Sequence, residues 1–150
     1  MATLYAINPL TGSAWSEQSQ VFKPPGGGAL GVSMGTYQFL VNPTALDVVR
    51  FCKVPANAVV IGGCIAGEDL DTGAGTLDIA FGWEANGAEA ASTTGFGNMY
   101  ALKWRELQGT LHTSGWPRFT YETWISGQVI TPANAGGTGQ LSLAVTFAVR

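Results

Sequence analysis

His112 is the only histidine in the 150-residue chain, and it lies in a Thr- and Gly-rich stretch. A general base needs a nucleophile or an orienting acid within hydrogen-bond reach. None stands near His112 in the sequence, so it reads as a histidine on a surface or interface loop. The acidic residues gather once, as Glu68, Asp69, Asp71 and Asp78. A carboxylate-rich loop can bind Ca²⁺ through several oxygens. The EF-hand pattern is absent here, because Thr72 and Gly73 follow where further ligands should stand. Glycosidase chemistry would need two carboxyls facing across a cleft, and nothing in this spacing sets up such a pair. The cluster reads as a solvated turn. Gly26-Gly27-Gly28 and Ala135-Gly136-Gly137-Thr138-Gly139 lack the GxxxxGK[ST] pattern and do not sit between a strand and a helix, so they are not phosphate loops. No catalytic residue, metal site or cofactor is assigned, and the chain reads as non-enzymatic.

Two further residue types carry possible chemistry. Cys52 and Cys64 sit in apolar, strand-like runs whose spacing fits no CxxC or zinc pattern. Buried, reduced thiols are the expectation, with a disulfide between adjacent strands as the alternative. Trp83, Trp104, Trp116 and Trp124 suggest stacking on sugar rings. Trp83 falls on the large-residue side of an alternating run and reads as core. Trp116, beside Pro117 in a loop, is the best stacking candidate; loop packing or subunit contact is the alternative.

The elements that would position these groups are strands. Tyr37, Phe39 and Val41 alternate with Gln38 and Leu40 until Asn42-Pro43 ends the run. Residues 46–54 follow, then a turn at 55–58. Residues 58–66 form an apolar run in which Gly62-Gly63 suggests a bulge. Residues 68–75 read as a polar loop. In 76–83, Leu77, Ile79, Phe81 and Trp83 face one way and Asp78, Ala80 and Gly82 the other. Residues 84–98 are small and polar and read as a loop. In 99–107, Tyr100, Trp104 and Leu107 fall at i, i+4 and i+7, which predicts two helical turns capped by Asn98. Residues 119–130 read as strand and 132–139 as loop. Leu141, Leu143, Val145, Phe147 and Val149 line one face of a last strand, and its other face is small and chargeless. The sum is roughly six to eight strands with at most one short helix, a pattern of sandwiches and barrels.

Residues 1–34 differ. Pro9, Pro24, Pro25 and Gly26-Gly27-Gly28 forbid a continuous helix or central strand. Leu4, Tyr5, Ile7, Leu10, Trp15, Val21 and Phe22 are too apolar for a free linker. The expected organisation is an extended N-terminal arm, 1–34, lying on its own domain or on a neighbour, and a single β-sandwich domain, 35–150.

Composition narrows the function classes. Charged residues are 11% of the chain, against about 25% in an ordinary domain. Hydrophobic residues reach 46%, and 21 residues are glycine. Protein interfaces lose charge at their cores and gain aromatics, so much of this surface is expected to face other protein chains, with a β-domain covered by Ser, Thr and Gly as the alternative. The net charge is −3 and the seven Lys and Arg are scattered, which argues against nucleic acid as a partner. No apolar run approaches the ~20 residues of a membrane span, and the first residues do not form a signal peptide. The chain is expected to be made in the cytoplasm, or kept in something assembled there.

The segment Ala45-Leu46-Asp47-Val48-Val49-Arg50-Phe51-Cys52-Lys53-Val54-Pro55-Ala56-Asn57-Ala58-Val59-Val60 resembles an element of the small decoration, or cement, proteins of tailed bacteriophages. In that family a strand of the form D-V-I-x-L leads into K-[IV]-P-A-x-A, a second apolar strand and an acidic loop, here Glu68-Asp69-Leu70-Asp71-Thr72-Gly73. Asp78-Ile79-Ala80-Phe81-Gly82 and the strand over 141–149 resemble later strands of the family. The resemblance covers the middle and end of the chain. It implies a jelly-roll or related β-sandwich, so that the expected fold is an all-β, jelly-roll-like β-sandwich to which the residues of 1–34 add the extended N-terminal arm. It further implies a virion protein that sits on the capsid surface as a homo-oligomer, a trimer, and bridges subunits of the phage major capsid protein. It carries over no catalytic residues, and the charge pattern and the short apolar runs already argue against a nucleic-acid or membrane partner. Leu4, Tyr5, Ile7, Trp15 and Phe22 are the candidate contacts of the arm with a neighbouring chain or the capsid. The alternative is a glycan- or receptor-binding β-module of a phage fibre or head fibre.

Overall fold

The computed structural model describes residues 3–5, 20–22, 29–100, 109–110 and 117–149. Among them every regular element is a strand: β1 (Thr3–Tyr5), β2 (Gln20–Phe22), β3 (Ala29–Phe39), β4 (Val48–Val54), β5 (Ala58–Gly67), β6 (Asp78–Trp83), β7 (Ser92–Tyr100), β8 (Gly109–Thr110), β9 (Arg118–Phe119), β10 (Thr123–Thr131) and β11 (Gly139–Val149). They form two sheets, ordered β1-β4-β10-β6-β7 and β2-β3-β11-β5-β8, with β9 also on β5.

The topology is one long antiparallel hairpin rolled up. Its tip is the β6·β7 pair. From there the halves pair in reverse order: β5 with β8 and β9, β4 with β10, and β3 with β11. Rolling the hairpin adds two joins, β11·β5 and β10·β6. With β8 and β9 as one position, eight strand positions divide equally between the sheets, which is the jelly roll. The two N-terminal strands lie at opposite edges, β1 parallel to β4 and β2 antiparallel to β3.

The alternation read from the sequence fills the space between the sheets. Leu141, Leu143, Val145 and Phe147 of β11 are all fully buried, opposite Phe51 of β4, Phe81 of β6 and Ile125 of β10. Phe51 and Phe81 meet with ring centroids 6.0 Å apart. Phe147 lies over Gly31, where an added Cβ would come within 2.4 Å of its Cζ. Glycine is therefore required opposite this ring. The β4·β10 register slips between Ile125 and Ser126, so that Ile125 faces Cys52 and Ser126 faces Arg50. The extra residue, Phe51, turns inward together with Cys52. A second bulge at Ile61 interrupts β5 beside the Gly62-Gly63 pair, where the sequence placed one.

Three expectations need correction. Residues 92–98, read as loop, are the body of β7. Their small side chains lack the alternation of a half-buried strand because Gly95 lies under the Trp83 ring, with an added Cβ only 2.0 Å from Cζ3. Asn98 and the first two residues of the expected helix, Met99 and Tyr100, belong to the same strand, opposite Ala80, Ile79 and Asp78. The rest of that helix, 101–107, lies outside the described residues. Finally, β3 begins at Ala29 and pairs with β11 along its whole length, so 29–34 are sheet and not arm.

Candidate interaction surfaces

The two outer sheet faces differ in charge. On the β4-side sheet, the Arg50 guanidinium donates from Nε to Glu84 Oε1 at 2.7 Å and from its Nη2 to Oε2 at 2.6 Å. The guanidinium carbon also stands 5.6 Å from the Trp124 ring centroid. Lys53 Nζ is 4.9 Å from the same ring and bonds Glu122. An open groove of about 260 Å³ runs along this face, lined by Arg50, Glu84, Thr93, Ser126 and Gln128 among others.

The three long strands of the opposite sheet are chargeless: no residue of β3, β5 or β11 is Asp, Glu, Lys or Arg, and Arg118 of β9 stands exposed at one edge beside Val59. Outward from it point Leu30 and Val32, each 48% exposed, Ile61, Cys64, Ala66, Ala144 and Ala148. Thr36 and Ser142 satisfy each other across the strands, Oγ to Oγ at 2.7 Å.

One end of the sandwich is built from the β3–β4, β5–β6 and β10–β11 loops, and side chains stitch them together. Asn42 Nδ2 donates to Ala133 O at 2.8 Å while Ala133 N donates back to Asn42 Oδ1. Asp71 is buried and accepts from Gly73 N, Thr76 N, Leu77 N and Asn134 N. Burial alone would raise this carboxyl, but the Leu77, Thr76, Gly73 and Asn134 amides outweigh it and hold Asp71 well below the usual carboxylate range. Glu68 Oε2 accepts from Gln140 N at 2.8 Å, and Asp69 Oδ1 accepts from Asp71 N at 3.2 Å. The expected solvated turn is thus a buried staple in part. Its carboxylates are committed to backbone amides and do not converge on a metal; the described residues contain no His/Cys/Asp/Glu group of metal-binding arrangement. Asp78 lies apart at the head of β6, where burial raises its carboxyl and leaves Oδ1 without a partner.

From this end project Leu40 (79% exposed), Val41 (73%), Leu46 (54%) and Ile130 (40%). The sequence pattern absorbed Val41 and Leu46 into strands; in the structure they belong to the turn between β3 and β4. The signal available was three apolar residues flanking Asn42-Pro43-Thr44, where turn chemistry calls for polar ones.

The other predicted residues fall as follows. Leu4 in β1 is half-buried against the core; Tyr5 and Phe22 lie in β1 and β2; Ile7, Trp15, Trp104, His112 and Trp116 lie outside the described residues. Trp83 is wedged edge-on between Phe96 and Phe119, with centroids at 5.2 and 5.4 Å, and its Nε1 donates to Ala90 O. Both cysteines are free. Cys52 is buried, which pushes its thiol up to about 12. Cys64 corrects the expectation of two buried thiols: it points outward from the other sheet, because the bulge at Ile61 sets the facing of the residues after it.

No family model matches the chain, and no curated protein does. Solved structures do. A chain of the cyanophage Pam1 capsid asymmetric unit is 25% identical, with a TM-score of 0.71 over 95% of this chain and 100% of that one. The fold is that of a phage capsid-associated protein. A chain of the capsid of Ralstonia phage GP4 shares it at 16% identity, with a TM-score of 0.70 over 89% of this chain and 92% of the other. A chain of the acidic stable capsid structure of Helicobacter pylori bacteriophage KHP30 shares it at 13% identity, TM-score 0.58, over 80% and 87%. For a capsid-associated protein, the telling feature is the chargeless sheet face. The groove on the charged face offers a sugar no open aromatic plane, since Trp83 is packed and Trp124 is covered by Arg50 and Lys53.

Proposed function

We propose that this phage capsid structural protein is a decoration, or cement, protein, which binds the outer surface of the head and holds neighbouring major capsid subunits together. The observation that carries this is the outer face of β3, β11 and β5, three long strands without a charge and with Leu30, Val32 and Ile61 presented to the outside. Such a face suits burial against protein. We assign it to contact between copies of this chain, as a trimer in the virion. We assign the N-terminal segment, 1–28, to contact with the next chain or the shell through Tyr5, Ile7, Trp15 and Phe22, whereas Leu4 packs on the core of its own sandwich. Several weak contacts held in one oligomer give an avidity that no single contact supplies. No enzymatic step, cofactor, nucleic acid or membrane is required.

Ala144 tests this. It lies mid-strand on the outer face, between Cys64 and Met34. Ala144→Asp should keep the strand spectrum by circular dichroism, shift the light-scattering mass from oligomer to monomer and abolish sedimentation with phage heads. A variant that keeps both its mass and its head binding would overturn the assignment.

A further inference from the structure

The β3–β4 turn contains a backbone anomaly that points to a use. Asp47 N donates to Thr44 O at 3.1 Å, closing a four-residue turn, and Leu46, its third residue, has φ = 71°. That is the position at which such a turn favours Gly or Asn. The chain follows the rule at its other turn of this kind: Ala58 N donates to Pro55 O, and the third residue is Asn57, φ = 60°. At 46 it places a leucine, more than half exposed, so neither backbone fit nor core packing accounts for it. An outlier held by its surroundings is a pointer to function. Here the surroundings are well fixed: Thr44 N and Oγ1 both donate to Asp47 Oδ2, Leu46 N donates to Val129 O, and Val129 N donates to Asp47 O.

Resting on the shell-binding role proposed above, we infer that Leu46, with Leu40, Val41 and Ile130, is the plug by which the protein seats in an apolar depression of the capsid shell. The partner's chemistry follows from what this end offers. The carboxylates at this end, Asp47, Glu68, Asp69 and Asp71, accept hydrogen bonds within the loops, and Asn42 is paired with Ala133, so the large apolar side chains it presents outward are Leu40, Val41, Leu46 and Ile130. No Lys or Arg occurs in 40–47 or 129–139, so an anionic lipid surface gains nothing there. A preorganised apolar projection loses little entropy on docking to a preformed protein surface.

The test uses opposite signs. Leu46→Asn restores a residue suited to positive φ, so its thermal midpoint should equal or exceed that of the wild type, while its affinity for heads stripped of the protein falls roughly tenfold or more. Leu40→Asn, outside the turn, should weaken head binding likewise. Wild-type binding by both variants would overturn the plug and leave the decoration role standing. A lowered midpoint in Leu46→Asn would also overturn it, showing Leu46 to be packing. Failure of the wild type itself to bind heads would refute the decoration role and the plug together.

Discussion

Asp71 ties the β5–β6 loop to the β10–β11 loop, and Asp71→Asn should show how much that tie contributes. In the wild type, Oδ2 accepts from Thr76 N at 2.6 Å and Leu77 N at 2.9 Å. An asparagine can turn its one oxygen to these amides, but its NH2 then faces Gly73 N, which loses its acceptor, and the remaining amides exchange a charged acceptor for a neutral one. Each buried donor left unsatisfied costs about 1–3 kcal/mol; allowing for relaxation, roughly 3 kcal/mol is expected, or about 6–12 °C in Tm for a domain of this size. The pH dependence carries a second signature. The folded carboxyl is held below its unfolded value, about 3.9. Its contribution is therefore whole above that value and fades as pH falls through the folded one. Wild type should lose stability on acidification below about pH 4, and Asp71→Asn should lose less, so the two curves converge. Urea unfolding at pH 7 and pH 3 measures both effects. A variant within about 0.5 kcal/mol of wild type at pH 7 would refute the reasoning, as would a gap that does not narrow in acid.

The cysteines should separate by face. In the Ala144→Asp monomer one thiol, Cys64, should react with a thiol reagent at neutral pH and the oligomer should shield it, whereas Cys52 should react only on unfolding; mass mapping of the labelled peptides decides. Deleting residues 1–28 removes the edge strands β1 and β2 but none of the eight positions of the rolled hairpin. The strand spectrum should persist while head binding weakens, and loss of the folded state would make the arm part of the core.

Much of this fold was legible because its strands obey one rule. β11 alternates large and small over its whole length, and its large face is the buried one. β6 announced itself in the same way, β5 as a continuous apolar run, and Gly62-Gly63 located a bulge. β7 did not. Its residues are small because the Trp83 ring and the Gly82 backbone press on it, a tertiary demand that looks like loop composition. The expected helix failed at its start for a related reason: Met99 and Tyr100 pair with Ile79 and Asp78, and only the pairing with β6 shows it. The acidic residues were visible, but not that Asp71 turns inward to collect amides. The exposed leucine at 46 was hidden inside what read as the start of a strand, since positive φ at a leucine has no signature in sequence.

The proposed role puts this sandwich on the outside of a phage head. A cryo-electron microscopy map of the phage that encodes it tests that most directly. It should show the two-sheet body at repeated lattice positions on the outer shell, in copies that touch through the chargeless β3-β11-β5 face, with the Leu46 end against the capsid. Heads bare of it, or the same sandwich found on a fibre, would contradict the claim.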